Sequence, residues 1–238
     1  MQVMTTRGAP KKKFSWSYSK LKNFEACAKR HYHVDIARDF KEEESDELAY
    51  GNQLHDAMHA RLGPKKTPLP QVFNKHEKWA RRAETTPGAL LTEQKFCVRD
   101  DFSPTDWKDW NGGWYRGIGD LVKLNNRVAI AIDWKTGKIL EDSVQLKLMA
   151  QCVFSHHPEI NVIRTLFAWL KYDDPREPDK FTETQLDVRR EDMPAFWSEM
   201  MPRVKALEAA YHYQNFPPTP GRLCRKWCPV TACPHHGI

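Results

Sequence analysis

Two aspartates and a lysine near the middle of the chain are the residue types that metal-assisted hydrolysis requires. Asp120 lies in the run WYRGIGDLVKL (114–124), and Asp133 and Lys135 lie in RVAIAIDWK (127–135), with Asn125-Asn126 between the two runs. Both runs read as strands, and Asn-Asn suits a two-residue turn that takes positive φ, so a β-hairpin is expected. With Asn125 and Asn126 as the loop, Asp120 faces Ala131, and alternation puts Asp133 and Lys135 on the face of Ala131. The two carboxylates are then diagonal neighbours, roughly 7–8 Å apart at Cα. Oxygens so placed would reach one hard cation between them. Such an ion would polarise a phosphoryl oxygen and lower the pKa of a bound water. Lys135 would orient that water or stabilise developing negative charge. Ordinary strand salt bridges to Lys135 or Arg127 are the alternative. Against them, Asp is disfavoured inside strands, and Asp133 directly follows the apolar run VAIAI.

The elements around the hairpin follow from hydrophobic period and turn chemistry. SYSKLKNFEACAKRHYH, from Ser17, carries Leu21, Phe24, Ala28 and Tyr32 at helical spacing. After the acidic patch KEEESDE (41–47), ELAYGNQLHDAMHARL predicts a second helix with an inward stripe of Leu48, Gly51, Leu54/His55, Met58 and Leu62. FNKHEKWARRA predicts a third. LLTEQKFCV (90–98), VIRTLFAWLKY (162–172) and TETQLDV read as further strands. EDSVQLKLMAQCVFSHH predicts a helix capped near Asp142 or Ser143, and MPAFWSEMMPRVKALEAAYHY a long helix with Pro202 as a kink. Helices followed by a short, mainly antiparallel sheet and then mixed elements give an α/β or α+β domain.

Composition narrows the functional classes. In 238 residues, 40% hydrophobic and 29% charged, a packed core is expected and wholesale disorder is not. The sequence has no apolar run of membrane-spanning length and no secretory h-region at its start, so the expectation is a soluble, cytoplasmic protein without membrane contact. The net charge of +6 is uneven: residues 1–33 carry +7 and the remainder −1. A basic segment on a near-neutral body points to a polyanion, or else to a solubilising tail. Lys20, Lys22, Lys29 and Arg30 in this segment, with Arg225 and Lys226 in the tail, are the candidate phosphate contacts. Trp107, Trp110 and Trp114 in DWKDWNGGWY would either stack bases or cover the edge of the core.

Six cysteines without a secretory leader argue against a disulfide framework. Cys224, Cys228 and Cys233 cluster as C-x3-C-x4-C, and Cys27 stands almost 200 residues upstream in the basic helix. Four thiolates can hold a [4Fe–4S] cluster or a structural Zn²⁺. Cys97 and Cys152, in a predicted strand and helix, read as core residues.

Gly51-x-x-x-His55, Gly117-x-x-Asp120, Asp133-x-Lys135-Thr136 and Gln145 in QLKLMA occur in the order and rough spacing of the RecB-like nucleases. Over roughly residues 15–235 the chain resembles this branch of the PD-(D/E)xK superfamily, and within it CRISPR-associated and phage recombination exonucleases. The resemblance implies an α/β, restriction-endonuclease-like core: a short central mixed β-sheet flanked by helices, with the N-terminal helix and C-terminal tail joined by a metal cluster. Residues 1–13 would be a flexible basic arm, and 14–238 a single nuclease domain including the cysteine cluster (222–236).

The resemblance further implies that Asp120 and Asp133 ligate Mg²⁺ or Mn²⁺, with His55, the Trp134 backbone carbonyl and Glu93 as additional ligands. Lys135 becomes the catalytic lysine, and Gln145 orients it or contacts DNA. The family often has Tyr four residues after this Gln, where the chain has Met149. A subset of relatives carries one N-terminal and three C-terminal cysteines around a [4Fe–4S] cluster, which would assign Cys27, Cys224, Cys228 and Cys233. The usual tail there is C-x2-C-x5-C, so the middle ligand is displaced by one and zinc remains an alternative. The implied function is a metal-dependent exonuclease on DNA ends or single strands, in recombination, repair or phage DNA processing. A recombination or replication protein would be its partner, in a bacterial or phage-infected cytoplasm. The alternative is a catalytically silent DNA-binding or assembly module with the same fold.

Overall fold

The computed structural model describes residues 13–140 and 142–238, so the expected basic arm lies, apart from Lys13, outside the described residues. Helix α1 (Tyr18–Ala26) starts at Ser17, whose hydroxyl accepts from the Lys20 amide. The helix expected to run on through Tyr32 instead breaks at Cys27, which is extended (φ −167°). The chain resumes as α2 (Ala28–His31) and a π-helical turn (Tyr32–Ala37). α3 (Asp46–Leu62) is capped by Ser45 and buries Gly51, Leu54, Met58 and Leu62, whereas Leu48 in its first turn is 52% exposed. The third expected helix divides into a 3₁₀ turn (Gln71–His76) and α4 (Glu77–Thr85).

A six-stranded sheet forms the centre, in the order β2-β1-β3-β4-β5-β6. Its strands are β1 (Ala89–Val98), β2 (Pro104–Thr105), β3 (Tyr115–Asn125), β4 (Val128–Lys135), β5 (Val162–Trp169) and β6 (Glu183–Arg189). Only β4 and β5 pair in parallel, and α5 (Ser143–His156) makes the crossover between them. α6 (Met193–Tyr213) carries Pro202 within it, and the short α7 (Leu223–Lys226) leads into the cysteine-rich tail. One sheet face packs Val122, Ala131 and Ile163 against Leu148 and Val153 of α5 and Val204 and Leu207 of α6. The other packs Leu121, Ile132, Trp134 and Leu166 against Leu54 and Met58 of α3 and Trp79 of α4. This is a restriction-endonuclease-like mixed sheet flanked by helices. Among the described residues no helix is long and apolar enough to cross a membrane.

Two details of the sheet differ from the expected pattern, and both concern the carboxylates. The β3–β4 turn is Asn126-Arg127, with Asn125 paired to Val128 and Leu121 to Ile132. Asn126 supplies the left-handed residue at φ +51°. The two-residue shift keeps Asp133 and Lys135 on one face of β4, but Ala131 pairs with Val122 instead of Asp120, and the paired register stops at Leu121↔Ile132.

The second detail is a slip in alternation. Tyr115 and Val122 join the same core although seven residues apart on β3, and so do Leu91 and Phe96, five apart on β1. Strict alternation would separate each pair. The slip falls at Glu93 and Asp120, which the flanking pairs Thr92↔Leu121 and Gln94↔Gly119 set opposite one another, with Glu93 at φ +49°. A left-handed non-glycine residue inside a strand costs on the order of 1–3 kcal/mol and is retained where the local geometry is put to use.

Candidate active site

The carboxylates meet at the end of β4, where α3, α5 and the slipped β1–β3 pair converge. Gly51 allows that convergence: a Cβ there would stand 2.9 Å from the Thr136 hydroxyl, so α3 lies close against the chain leaving β4. One turn later on α3, His55 reaches the strand end. Its Nε2 is 2.9 Å from the Trp134 carbonyl oxygen and its Nδ1 is 3.4 Å from Asp120 Oδ2. The same Asp120 oxygen accepts from the Trp134 amide at 2.8 Å, which fixes the carboxylate across the hairpin.

His55, Glu93 and Asp120 present ligating atoms that all lie within 4.8 Å of one another. Opposite ligands of an octahedral ion with bonds of about 2.1 Å lie about 4.2 Å apart, and adjacent ones about 3.0 Å. The spacing of the group is close to that of a small divalent ion's ligands. Oxygen donors with one imidazole favour Mg²⁺ or Mn²⁺ over thiophilic metals.

Asp133 stands beside this group and is 7% exposed. Gln145, in the first turn of α5, joins it to Lys135: its Nε2 donates to Asp133 Oδ1 at 3.0 Å, and its Oε1 accepts from Lys135 Nζ at 3.3 Å. Lys135 Nζ also lies 2.5 Å from Asp133 Oδ2, an oxygen that is buried without a well-directed hydrogen bond, and 4.8 Å from the Phe167 ring centre. Gln145 is held in turn by Asp142, the N-cap of α5, which accepts from the Gln145 amide at 3.3 Å. Tyr18 and Lys22 of α1 donate to the two oxygens of Asp142, at 2.6 and 3.0 Å.

The electrostatics are those of a negative site without enough positive charge. Burial, with the charge of Asp120 added, outweighs Lys135 and raises Asp133 to about 6. Burial, then Asp120, also raises Glu93. Burial alone would lower His55, but Asp120, Asp133 and the Trp134 carbonyl together raise it. Asp142 goes the other way, since the hydrogen bonds from Tyr18 and Lys22 overcome burial and lower it. A divalent cation would relieve the repulsion among the three acids, so the residues present fit the implied metal.

Most of the site residues expected from the sequence thus gather here, with a different emphasis. Glu93, the last of the expected ligands, sits in the three-residue group, while Asp133 is tied to Lys135 and Gln145 beside it. Tyr18 was read only as part of a helix, and no local pattern joins it to Asp142 across 124 positions.

The other expected positions divide. Cys27, Cys224, Cys228 and Cys233 line one small cavity with His235 and His236. The amides of Thr219 and Gly221 point at Cys27 Sγ and Cys224 Sγ, at 3.4 and 3.5 Å. Lys29 and Arg30 border this cavity, and Arg30 is paired with Glu42. Lys20 and Lys22 instead border a cleft of about 1280 Å³ that reaches Gln145, and Arg225 and Lys226 lie exposed on α7. Cys97 and Cys152 are buried, as expected.

The sequence matches the PD-(D/E)XK nuclease superfamily over residues 15–234. No curated protein matches it at a significant level. Among solved structures, a candidate exonuclease from Eubacterium rectale aligns with a TM-score of 0.51 at 13% identity, over 88% of this chain and 85% of that one. At that identity the likeness concerns the fold alone. The structure of SSO0001 aligns over 96% of this chain and 90% of that one at 14% identity, with a TM-score of 0.46, below the level at which a shared fold follows.

Proposed function

The chain belongs to the PD-(D/E)XK nuclease superfamily, and on that premise we propose that it is a Mg²⁺- or Mn²⁺-dependent deoxyribonuclease of the RecB-like type, acting as an exonuclease on DNA ends or single strands. The observation that carries this reading is the linkage of Asp133 and Lys135 through Gln145, beside the three ligating groups of His55, Glu93 and Asp120.

Asp120, Asp133, Glu93, His55 and the Trp134 carbonyl would hold the ion. When bound, it supplies a Lewis acid for the scissile phosphate and a water of lowered pKa. The chain's own side chains do the rest. Lys135 presents its ammonium to the reacting phosphate, where negative charge develops, and orients the attacking water. Gln145 keeps the Lys135 ammonium within reach of Asp133. The α1–Asp142 contacts hold Gln145 at the mouth of the cleft. A catalytically silent module would have little reason to keep Asp120, Asp133, Lys135 and Gln145 together.

At the other end, a [4Fe–4S] cluster on Cys27, Cys224, Cys228 and Cys233 would clasp the N-terminal helices to the tail. The amides of Thr219 and Gly221 aimed at Cys27 Sγ and Cys224 Sγ suit thiolates, the form that either a cluster or a structural Zn²⁺ requires. A recombination or replication protein as partner and a cytoplasmic setting complete the reading.

The test is degradation of end-labelled linear DNA in Mg²⁺ or Mn²⁺ by wild type, Asp133→Ala and Lys135→Ala, with circular DNA alongside. Metal-dependent loss of linear DNA by the wild type alone supports the proposal. An inactive wild type, or variants that match it, refutes the catalytic reading, and equal cutting of circles refutes the exonuclease assignment. Iron and acid-labile sulfide in anaerobically purified protein test the clasp; one equivalent of zinc without sulfide overturns it.

A further inference from the structure

The cleft that reaches Gln145 is also lined by an aromatic shelf, and the nuclease reading does not use it. Of the three tryptophans in the loop between β2 and β3, Trp114 is buried in the core and Trp107 and Trp110 line the cleft. Trp110 is 67% exposed, unusual for the largest apolar side chain in a folded protein. It is not loosely held. The Arg116 guanidinium carbon lies 4.7 Å from the Trp110 ring centre and 6.0 Å from that of Trp107, and Lys95 Nζ lies 5.9 Å from the Trp107 ring centre.

Arg116 fastens the shelf to the sheet. Its guanidinium donates to the backbone carbonyls of Trp107, Asp109 and Gly113 and to the Ser15 hydroxyl. None of these partners carries charge, and among the described residues no carboxylate comes within ion-pair distance of it. The nearby acid Asp109 is used elsewhere, accepting from Thr105, Arg99 and the Gly112 amide. A full positive charge is thus kept under an exposed indole at the edge of a groove. The lining also carries Lys13, Lys20, Lys22 and Arg38, of which Lys22 is paired with Asp142, and the one acid named in it, Asp35, is occupied by His31 and Asn23.

We propose that the Trp107–Arg116–Trp110 shelf is a base-stacking site for single-stranded DNA, one strand of which lies along this cleft from the shelf to Gln145. The assignment deepens the nuclease reading and rests on it for the direction of the strand. An exposed ring over a fixed cation offers a face on which any base stacks, while the basic side chains of the same lining meet the phosphates. A duplex keeps its bases stacked on one another and has no free face to give, so the shelf discriminates for single strands.

The experiment is binding without catalysis. Fluorescently labelled oligothymidine, the same strand with abasic sites, and a blunt duplex are titrated in EDTA by anisotropy, with indole quenching followed in parallel. Trp110→Ala is expected to weaken oligothymidine binding roughly tenfold, in line with loss of one stacked base, with duplex and abasic binding unchanged and Trp110→Phe restoring most of the affinity. Because Trp110 is exposed, the substitution leaves the fold intact, which a melting curve checks. Equal affinity of Trp110→Ala and wild type for oligothymidine, or an equal loss on all three ligands, overturns the shelf. Since no metal is present, a chain that binds single strands through Trp110 but cuts nothing would refute the nuclease reading and leave the shelf standing. One that cuts normally with Trp110→Ala binding unchanged would do the reverse.

Discussion

Removing the charge of Asp133 should change how stability depends on pH, by an amount the structure sets. In the metal-free protein its carboxyl is raised from 3.8 to about 6, chiefly by burial. A shift of about 2 units corresponds to roughly 3 kcal/mol. The sign follows from linkage. Between the two values the folded state holds a proton that the unfolded state has lost, so this group's contribution falls as pH rises from about 4 through 6 and then stays level. Asp35, Asp142 and Asp187, all lowered by hydrogen bonds or ion pairs that outweigh burial, contribute in the opposite sense at lower pH. The wild-type curve alone would therefore mix the two effects. Asp133→Asn separates them, because an amide oxygen still accepts from Gln145 and has no proton to titrate. In EDTA, urea unfolding at intervals from pH 4 to 7.5 should give a wild-type stability that declines relative to Asp133→Asn by about 3 kcal/mol across the window. For a chain of this length that corresponds to roughly 6–12 °C in melting temperature. Adding Mg²⁺ or Mn²⁺ above pH 6 should recover stability in the wild type, by about 2.7 kcal/mol at a hundredfold excess over Kd, and by much less in the variant. A wild-type-minus-variant difference that is flat with pH would refute the claim that Asp133 is ionised against its burial. Equal metal stabilisation of both proteins would remove Asp133 from the ligand set.

Three further substitutions probe the frame around the site. Gln145→Leu breaks the link between Asp133 and Lys135 and should lower turnover about 10–100-fold, the range for loss of a side chain that orients the reacting groups, while oligonucleotide affinity in EDTA stays within a factor of two; steady-state kinetics beside anisotropy separates the effects. Gly51→Val drives a side chain against Thr136 and should cost about 1–3 kcal/mol in urea unfolding, with loss of activity because His55 moves with α3. Asp173 is buried and accepts from His76 and Trp79 while pairing with Lys78, so Asp173→Ala should cost about 3–5 kcal/mol by the same measurement.

The contrast between readable and unreadable features runs along sequence separation. Leu54, Met58 and Leu62 were legible as one face of a helix, as was Asp142 as a cap, because each depends on neighbours within about one turn. Asp133 and Lys135 sharing a strand face was legible from alternation over three residues. Alternation failed at Glu93 and Asp120 because the slip occurs in two paired strands at once and leaves their register intact. A left-handed glutamate has no signature in its own neighbourhood. The three tryptophans show the same limit, since their types and spacing do not say that Trp114 enters the core and Trp110 faces water.

The sequence by itself marked out most of the elements and their order, and named Asp120, Asp133, Lys135 and Gln145 as candidates, because period, caps and motif spacing are written in residues a few positions apart. The tertiary structure alone decided that Glu93 takes a left-handed backbone beside His55 and Asp120, that Tyr18 reaches Asp142, and that Trp110 faces water while Trp114 enters the core. The physical reason is that these contacts are made by side chains whose distance along the chain carries no information about their distance in space. That distance is set when two sheet faces choose the helices that bury them, and the ends of the strands and helices are carried together as a consequence.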